Sequence, residues 1–286
     1  MIDLAYGTYG LAGVPLDEAI SAIAVTGYDG VELTLADGYP GVAPRLTREA
    51  GADIRDRIAR ASLSLVGVLT RTIVLDTGER QGMSDDEVRG FIESARLCGA
   101  SDDPVVTFTM GGAEAEWPAR RVELADRLHA LGDVAAEEGG VLAVEPHARG
   151  LIDSVERAAW LMQAVDHPAI RLNFDVSHYA LPGAPFDLDG AVAALLPFSV
   201  HAHVKDSVPA EGGGFRFVLP GEGGFDYAAY FAALERAGWD RPVTVEVSAM
   251  VFNAAGYQAL PAMKNCFAVL DRARRMESAS RSAVSG

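Results

Sequence analysis

Short apolar runs alternate with amphipathic segments along almost the whole chain. Eight of the runs have the composition of strands: residues 4–9, 30–35, 63–69, 104–108, 141–147, 170–176, 199–205 and 243–248. A segment with apolar residues at helical spacing follows each run, and Thr47 and the Ser84–Glu87 capping box mark the starts of two such helices. Repeated strand–helix units favour a parallel sheet, so the pattern predicts an α/β fold.

Eight strand–helix units are the number that closes a (β/α)8 TIM barrel. A doubly wound open sheet is the competing architecture, but it requires a G-x-G-x-x-G turn after the first strand, and Gly7-Thr8-Tyr9-Gly10 does not match. No change in composition marks a linker. We therefore predict one barrel domain over residues 1–276, followed by a disordered Ser-rich tail at 277–286.

The chain of 286 residues is strongly acidic, with 40 Asp and Glu, 24 Lys and Arg, and a formal net charge of -16. That charge repels phosphate backbones and anionic lipid surfaces, so we expect neither nucleic acid nor a membrane as a partner. The sequence contains no apolar run of the roughly 20 residues that span a bilayer and no basic leader at its start. Cys98 and Cys266 provide no disulfide framework. We expect a cytoplasmic protein.

Polar residues gather at the carboxyl ends of the last four predicted strands, where such a barrel carries its active site. Alternation decides their direction: Val243, Val245 and Val247 face the helices, so Glu246 points inward. The same argument turns further residues inward, namely Glu145 and His147 on the fifth strand, Asp175 on the sixth, and His201, His203 and Lys205 on the seventh. His178 has the opposite parity to Asp175 and reaches the mouth only if the sixth strand ends before it.

Three buried carboxylates without a cation would be costly or would become protonated, and a divalent metal ion removes that cost. Oxygen ligands with one imidazole suit Mn, Mg or Co, and they fit Zn less specifically. A single buried glutamate is more often an ion-pair partner, and a single buried histidine is more often a core residue. Four such residues at the same end of four consecutive strands favour the metal hypothesis.

The polar motifs, in their order and spacing, make the chain recognisable. They are Val144-Glu145-Pro146-His147, Phe174-Asp175-Val176-Ser177-His178, His203-Val204-Lys205-Asp206, Pro220-Gly221-Glu222-Gly223 and Val243-Thr244-Val245-Glu246. With the early Gly27-Tyr28-Asp29-Gly30-Val31-Glu32-Leu33, the set resembles the xylose-isomerase-like TIM-barrel superfamily, in its branch of sugar phosphate isomerases and epimerases. The resemblance extends to about Arg275.

The resemblance implies one divalent ion and a role for each matching residue. Its four ligands would be Glu145, Asp175, His203 and Glu246. The two glutamates would also be the catalytic proton-transfer pair, and His178 would contact a substrate oxygen. Further substrate-binding candidates are His201, His147, Lys205 and Arg216. Glu32 shares the inward parity, and we favour a structural anchor there. The glycines near Glu211 and Pro220 suggest a mobile flap.

We expect a metal-dependent isomerase or epimerase that acts on a small-molecule sugar or keto-sugar through an enediolate. A dehydratase or lyase of a keto-sugar, an inosose or a keto-glycoside is the alternative, because it shares the first proton abstraction. A non-catalytic barrel subunit is a second alternative. Endonuclease-IV-like hydrolases require histidines on the second and third strands, and residues 31–35 and 63–69 contain none. The residues of the predicted barrel mouth favour a non-phosphorylated substrate. The sequence is also compatible with a homo-oligomer.

Overall fold

A computed structural model describes residues 1–36, 38–39, 45–100 and 103–284. The strands are β1 Leu4–Gly7, β2 Gly30–Leu35, β3 Ser64–Ile73, β4 Val105–Thr109, β5 Val141–Glu145, β6 Ile170–Asn173, β7 Ser199–His201, β8 His203–Val204, β9 Asp206–Pro209, β10 Phe215–Val218 and β11 Val243–Val245. The helices are α1 Leu16–Thr26, α2 Arg48–Arg60, α3 Asp85–Leu97, α4 Trp117–Glu137, α5 Val155–Val165, α6 Leu188–Leu195, α7 Tyr227–Arg236, α8 Ala249–Phe252 and α9 Ala259–Val284.

Nine parallel strands of the described residues form one sheet in the order β7-β6-β5-β4-β3-β2-β1-β11-β8. The two ends of this order, β7 and β8, are parts of one strand that is interrupted at Ala202. The Ala202 carbonyl accepts the Thr244 N–H at 2.8 Å, and the His201 carbonyl accepts the Phe174 N–H at 2.8 Å. The interrupted strand therefore bonds to neighbours on both sides, and the sheet closes as the predicted (β/α)8 TIM barrel.

Two helix starts follow the signals in the sequence. The Thr47 side chain accepts the Ala50 N–H at 3.2 Å before α2, and Ser84 and Glu87 form a reciprocal capping box before α3. Between sheet and helices, apolar side chains such as Val243 and Val245 are fully buried. Because those residues face the helices, the alternating positions of the same strands are left to line the barrel interior.

The strand ends differ from the prediction at the two places that matter most for the site. β5 stops at Glu145, before Pro146, which has no N–H to continue a ladder. β6 stops at Asn173, and a 3-10 helix over Val176–His178 follows. His147 and His178 therefore lie beyond their strands. The alternation rule no longer governs them there.

A two-stranded antiparallel hairpin forms in the segment after the seventh strand for which the sequence suggested a flap. In it, β9 pairs with β10 from Asp206↔Val218 to Pro209↔Phe215. The Asp206 carboxylate accepts the backbone N–H groups of Gly221 and Gly223 at 3.2 and 3.1 Å, which fixes the turn after the hairpin. A side chain at Gly223 would clash with that carboxylate, since an added Cβ would lie 2.0 Å from Asp206 Oδ1.

The C-terminal helix is longer than the sequence predicted. It continues from Ala259 to Val284 and so includes residues 277–284, for which we expected disorder. None of the described helices is long and apolar enough to cross a membrane. Cys98 and Cys266 are both buried as free thiols, as expected from their apolar surroundings.

Candidate active site

Four potential metal ligands meet at the carboxyl end of the barrel. Glu145 ends β5, Asp175 follows β6, His203 opens β8 and Glu246 directly follows β11. All four are buried, and one donor atom from each lies within 4.8 Å of the others. The closeness and the chemistry of these donors fit a divalent ion such as Mg²⁺ or Mn²⁺. We call these residues the acid cluster.

The ammonium of Lys205 lies inside the acid cluster. Its Nζ contacts Asp175 Oδ2 and Glu246 Oε2, and it is 3.7 Å from Glu145 Oε1. Lys205 is 2% exposed, so solvent screens these contacts little. Three buried carboxylates require compensating positive charge, and the Lys205 ammonium supplies one unit of it.

Glu32 binds two histidines one layer deeper in the barrel. Its Oε2 is 2.9 Å from His203 Nε2, and its Oε1 is 3.1 Å from His201 Nε2. This hydrogen bond assigns the proton of neutral His203 to Nε2. The other ring nitrogen, Nδ1, faces Glu145 Oε1 at 3.4 Å and Asn173 Nδ2 at 2.9 Å, so Nδ1 is the nitrogen that could bind an ion. The Thr107 hydroxyl also donates to Glu32 at 3.1 Å.

His147 and His178 lie on the other side of Glu145. Their rings stack with centroids 4.1 Å apart, and His147 Nε2 is 3.2 Å from Glu145 Oε2. His178 Nδ1 accepts the backbone N–H of Ala148 at 3.1 Å, which assigns the proton of the neutral ring to Nε2. That Nε2–H points toward Glu145 and Asp175, 3.7 Å from an oxygen of each. His178 is thus arranged as a hydrogen-bond donor in the site.

The two glutamates of the acid cluster have opposite pKa shifts. Burial alone would raise the pKa of Glu145, but the charges of His147 and Lys205 outweigh it and hold the pKa well below its ordinary value. Burial raises the pKa of Glu246, and the charge of Glu145 adds to that effect against the opposing Lys205. The two carboxylates therefore differ in their affinity for a proton, which is the kind of difference that separates an acid from a base in an active site.

Burial also controls the charge of His178. Burial and the nearby charges of Lys205 and His147 lower the pKa of His178 from 6.5 to about 3. The ring is therefore neutral at physiological pH, in agreement with the tautomer that the Ala148 N–H selects.

The hairpin places an aromatic side chain over the acid cluster. The Phe217 ring meets the His178 ring edge-on at 5.0 Å, and Lys205 Nζ is 5.2 Å from the Phe217 centroid. Arg216 is exposed on β10, and alternation turns it to the face opposite Phe217. Arg149 stacks on Phe215 at 4.7 Å, outside the cluster.

The structure brings together most of the site residues that the sequence singled out. These are Glu145, His147, Asp175, His178, His203, Lys205 and Glu246. His201 lies one layer deeper against Glu32, and Arg216 stays outside. Two further residues of the site were not predicted from the sequence, namely Phe217 and Asn173, whose Nδ2 is 2.9 Å from His203 Nδ1. The inward parity of Asn173 was the available signal.

The fold and the site define a class of proteins, the closed α/β barrels with carboxylate and imidazole groups at the carboxyl ends of their strands. Residues 20–266 match the family described as the xylose isomerase-like TIM barrel. The chain belongs to that family, which confirms the resemblance found in its motifs.

The curated relatives include dehydratases. The 3-dehydroshikimate dehydratase of Pseudomonas putida is 26% identical over 269 residues, which cover 90% of this chain and 39% of that protein. The inosose dehydratase of Geobacillus thermodenitrificans is 29% identical over 147 residues, which cover 46% of this chain and 47% of that protein. This chain therefore spans less than half the length of these relatives.

Solved structures share the whole fold. L-ribulose 3-epimerase aligns with a TM-score of 0.76 at 15% identity and covers 100% of this chain and 99% of its own. A xylose isomerase-like TIM barrel protein from Mycobacterium smegmatis, in complex with magnesium, aligns with a TM-score of 0.70 at 19% identity, over 97% and 98% of the two chains. At these identities the likeness establishes the fold.

Proposed function

We propose that the protein is a metal-dependent isomerase or epimerase of a small sugar or keto-sugar. The observation that supports this most strongly is the pair Glu145 and Glu246, two buried carboxylates in one cluster with pKa values displaced in opposite directions. A reaction that removes a proton from one carbon position and returns a proton elsewhere needs one ionised and one protonated group. The opposite pKa shifts bias Glu145 toward the ionised form and Glu246 toward the protonated form.

The acid cluster fits a resident divalent ion. Its three carboxylates and the His203 Nδ1 lone pair are the donors that Mn, Mg or Co prefers, and one relative of the same fold was solved with magnesium. Such an ion would polarise a substrate carbonyl and acidify the neighbouring C–H bond. Glu145, Asp175, His203 and Glu246 would hold it.

The residues around the cluster then have defined proton-transfer roles. Glu145 removes a proton from the carbon beside the substrate carbonyl, which leaves an enediolate and a protonated Glu145. Glu246 donates its proton to the opposite face of that carbon, which gives an epimer, or to the adjacent carbon, which gives an isomer. The His178 Nε2–H donates to a substrate oxygen. Exchange with water restores both carboxyl groups.

Dehydration is the second candidate, and the names of the curated relatives favour it. Glu145 would remove the same proton, and a hydroxyl on the next carbon would leave as water with a proton from an adjacent donor. Glu246 is such a proton donor, and the neutral His178 Nε2–H, 3.7 Å from Glu145, would hold the leaving hydroxyl by a hydrogen bond. The product would be a conjugated enone.

The proposal also covers four properties beyond the reaction. They are a small-molecule carbohydrate substrate, a cytoplasmic location, a homo-oligomer and a single domain over 1–276.

Solvent exchange distinguishes the two reactions. The protein is loaded with Mn²⁺ and incubated in D₂O with ketoses, inosose, 3-keto-glycosides and 3-dehydroshikimate, and the products are analysed by NMR. Deuterium at one carbon without a released fragment supports isomerisation or epimerisation. An enone signal with loss of water supports dehydration instead. No exchange with any member of the panel would favour the non-catalytic barrel.

The glutamate pair is tested by Glu145→Gln and Glu246→Gln, which keep an oxygen ligand and remove the acid–base group. We expect each to lower turnover by about 10²-fold or more, the usual contribution of a positioned acid or base. Glu93→Gln, on the exposed face of α3, is the matched control and should retain wild-type turnover. Near-normal turnover in both cluster variants would assign the acid–base chemistry to another residue.

A further inference from the structure

Lysine is rare in this protein, and one of its lysines is at the centre of the candidate site. The sequence contains 24 Lys and Arg, of which two are lysines, Lys205 and Lys264. Lys264 is exposed on α9, whereas Lys205 is buried in the acid cluster. A lysine ammonium is a compact charge on a flexible stem of four carbons, so it can enter a small oxygen-lined space and also leave it.

The ammonium uses the oxygens that a metal ion would need. Lys205 Nζ contacts Asp175 Oδ2 and Glu246 Oε2, and the same Glu246 oxygen lies 3.9 Å from His203 Nδ1 on the ligand side of that ring. An ion bound to these oxygens would lie within about 4 Å of the ammonium, where two positive charges in a buried site repel strongly. Shared oxygens and this repulsion therefore favour one cation at a time in the cluster.

We propose that the Lys205 ammonium and a divalent ion are alternative occupants of the acid cluster. Without the ion, Lys205 keeps the three carboxylates compensated. Binding of the ion displaces the ammonium toward the mouth of the barrel, where the Phe217 ring, already 5.2 Å from Nζ, can accept it by a cation–π contact. The inference rests on the proposed metal site and adds to it an internal competitor.

The backbone at this position favours movement of the side chain alone. The Lys205 carbonyl accepts the Tyr227 hydroxyl at 3.2 Å, and the next residue, Asp206, is fixed by the turn at Gly221 and Gly223. The exchange therefore involves rotation of the lysine stem while the main chain stays in place. The displaced ammonium would lie beside the His178 Nε2–H and face a bound substrate.

Calorimetric titration with MnCl₂ tests the competition on metal-free protein. We expect Lys205→Met and Lys205→Gln to bind Mn²⁺ at least tenfold more tightly than the wild type, because no ammonium has to be displaced. Lys205→Gln keeps hydrogen-bonding capacity and isolates the effect of charge. Lys264→Met is the matched control, and its affinity should equal that of the wild type.

Lysine acetylation measured by mass spectrometry tests the displacement in the wild-type chain and needs no folded variant. Lys264 is the internal reference. We expect saturating Mn²⁺ to raise the acetylation rate of Lys205 relative to Lys264 several-fold. An unchanged ratio while Mn²⁺ is bound would overturn the displacement.

The outcomes also separate this inference from the proposed function. Equal Mn²⁺ affinity in the wild type, Lys205→Met and Lys205→Gln overturns the competition and leaves the metal site intact. Failure of all four proteins to bind Mn²⁺ overturns the metal site and the competition together.

Discussion

Two layers of buried charge in the barrel differ in how their carboxylates are compensated. In the deeper layer, Glu32 stands alone between His201 and His203, and its pKa is lowered well below the ordinary value because these histidines outweigh its burial. In the acid cluster above it, three carboxylates surround the Lys205 ammonium, and His147 lies beside Glu145. The deeper layer therefore has two partners for one carboxylate, whereas the upper layer has one ammonium among three carboxylates.

The difference assigns separate tasks to the two layers. A carboxylate whose hydrogen bonds and charge are matched by partners, such as Glu32, positions its neighbours. The chain leaves space for it at Gly7, where an added Cβ would lie 3.2 Å from Glu32 Oε2. A cluster of three carboxylates around one mobile ammonium is suited to exchange that charge for a cation from outside. His203 belongs to both layers, because Nε2 faces Glu32 while Nδ1 faces Glu145. It therefore connects a positioning layer to a binding layer.

Removing ligands from the upper layer should have the largest effect. The double variant His203→Ala with Glu246→Ala takes away two of four donors, and we expect its metal content to fall from about one ion per chain to near zero. Elemental analysis of protein purified without chelator measures this. The pair His129→Ala with Glu93→Ala, away from the cluster, controls for the loss of one histidine and one glutamate. Wild-type metal content in the first pair would contradict the ligand assignment.

Changing the deeper layer should weaken the metal site without removing a ligand. Glu32→Gln no longer holds the His203 Nε2–H with a full charge, so we expect Mn²⁺ affinity to fall by about 10- to 100-fold, as for other partners of metal-binding histidines. Thr107→Val removes one hydrogen bond to Glu32 but keeps its charge, and it should alter affinity far less. The ¹⁵N shifts of His203 report the tautomer directly. Undiminished affinity in Glu32→Gln would make Glu32 a purely structural residue.

The last expected effect, on acid stability and not on the metal site, comes from His178. Its pKa is lowered from 6.5 to about 3 in the folded protein, so the unfolded chain binds a proton that the folded protein excludes between these values. Stability must therefore fall as the pH falls through this window, by up to about 1.4 kcal/mol per pH unit from this group.

Urea unfolding of metal-free protein at several pH values measures that slope. His178→Gln should show a shallower loss of unfolding free energy between about pH 6.5 and pH 3 than the wild type. His129→Gln, on α4, is the control and should follow the wild-type slope. Parallel curves for the wild type and His178→Gln would mean that His178 is protonated equally in both states.

The barrel was predictable because its strand and helix patterns are local. The second strand was predicted at residues 30–35, and β2 has those bounds. The capping box at Ser84 was also predicted and confirmed. The bounds of β6 were wrong, because its end at Asn173 depends on the 3-10 turn in which the Ser177 N–H bonds to Asp175 Oδ1. Alternation assumes a continuing strand and has no means of detecting such a turn.

The site was predictable where the alternation within a single strand shows whether a side chain points into the barrel. Parity placed Glu145, His203 and Glu246 inside the barrel, and the structure brings them together. Parity also placed Glu32 inside, but its role depends on His201 and His203, about 170 residues away in the chain. Lys205 was expected to face substrate. Its contacts with the carboxylates depend on how the other strands are placed around its own, and the sequence of one strand does not determine that placement.

The hairpin formed by β9 and β10 has a consequence for how this barrel can change its specificity. Its base is held by Asp206, next to the acid cluster, while its tip at Gly212 and Gly213 is exposed with open space around each Cβ position. Exposed tips of this kind tolerate insertion and replacement. New residues can therefore be grafted at the tip to reshape the entrance for another substrate, while the ligand geometry below is inherited unchanged.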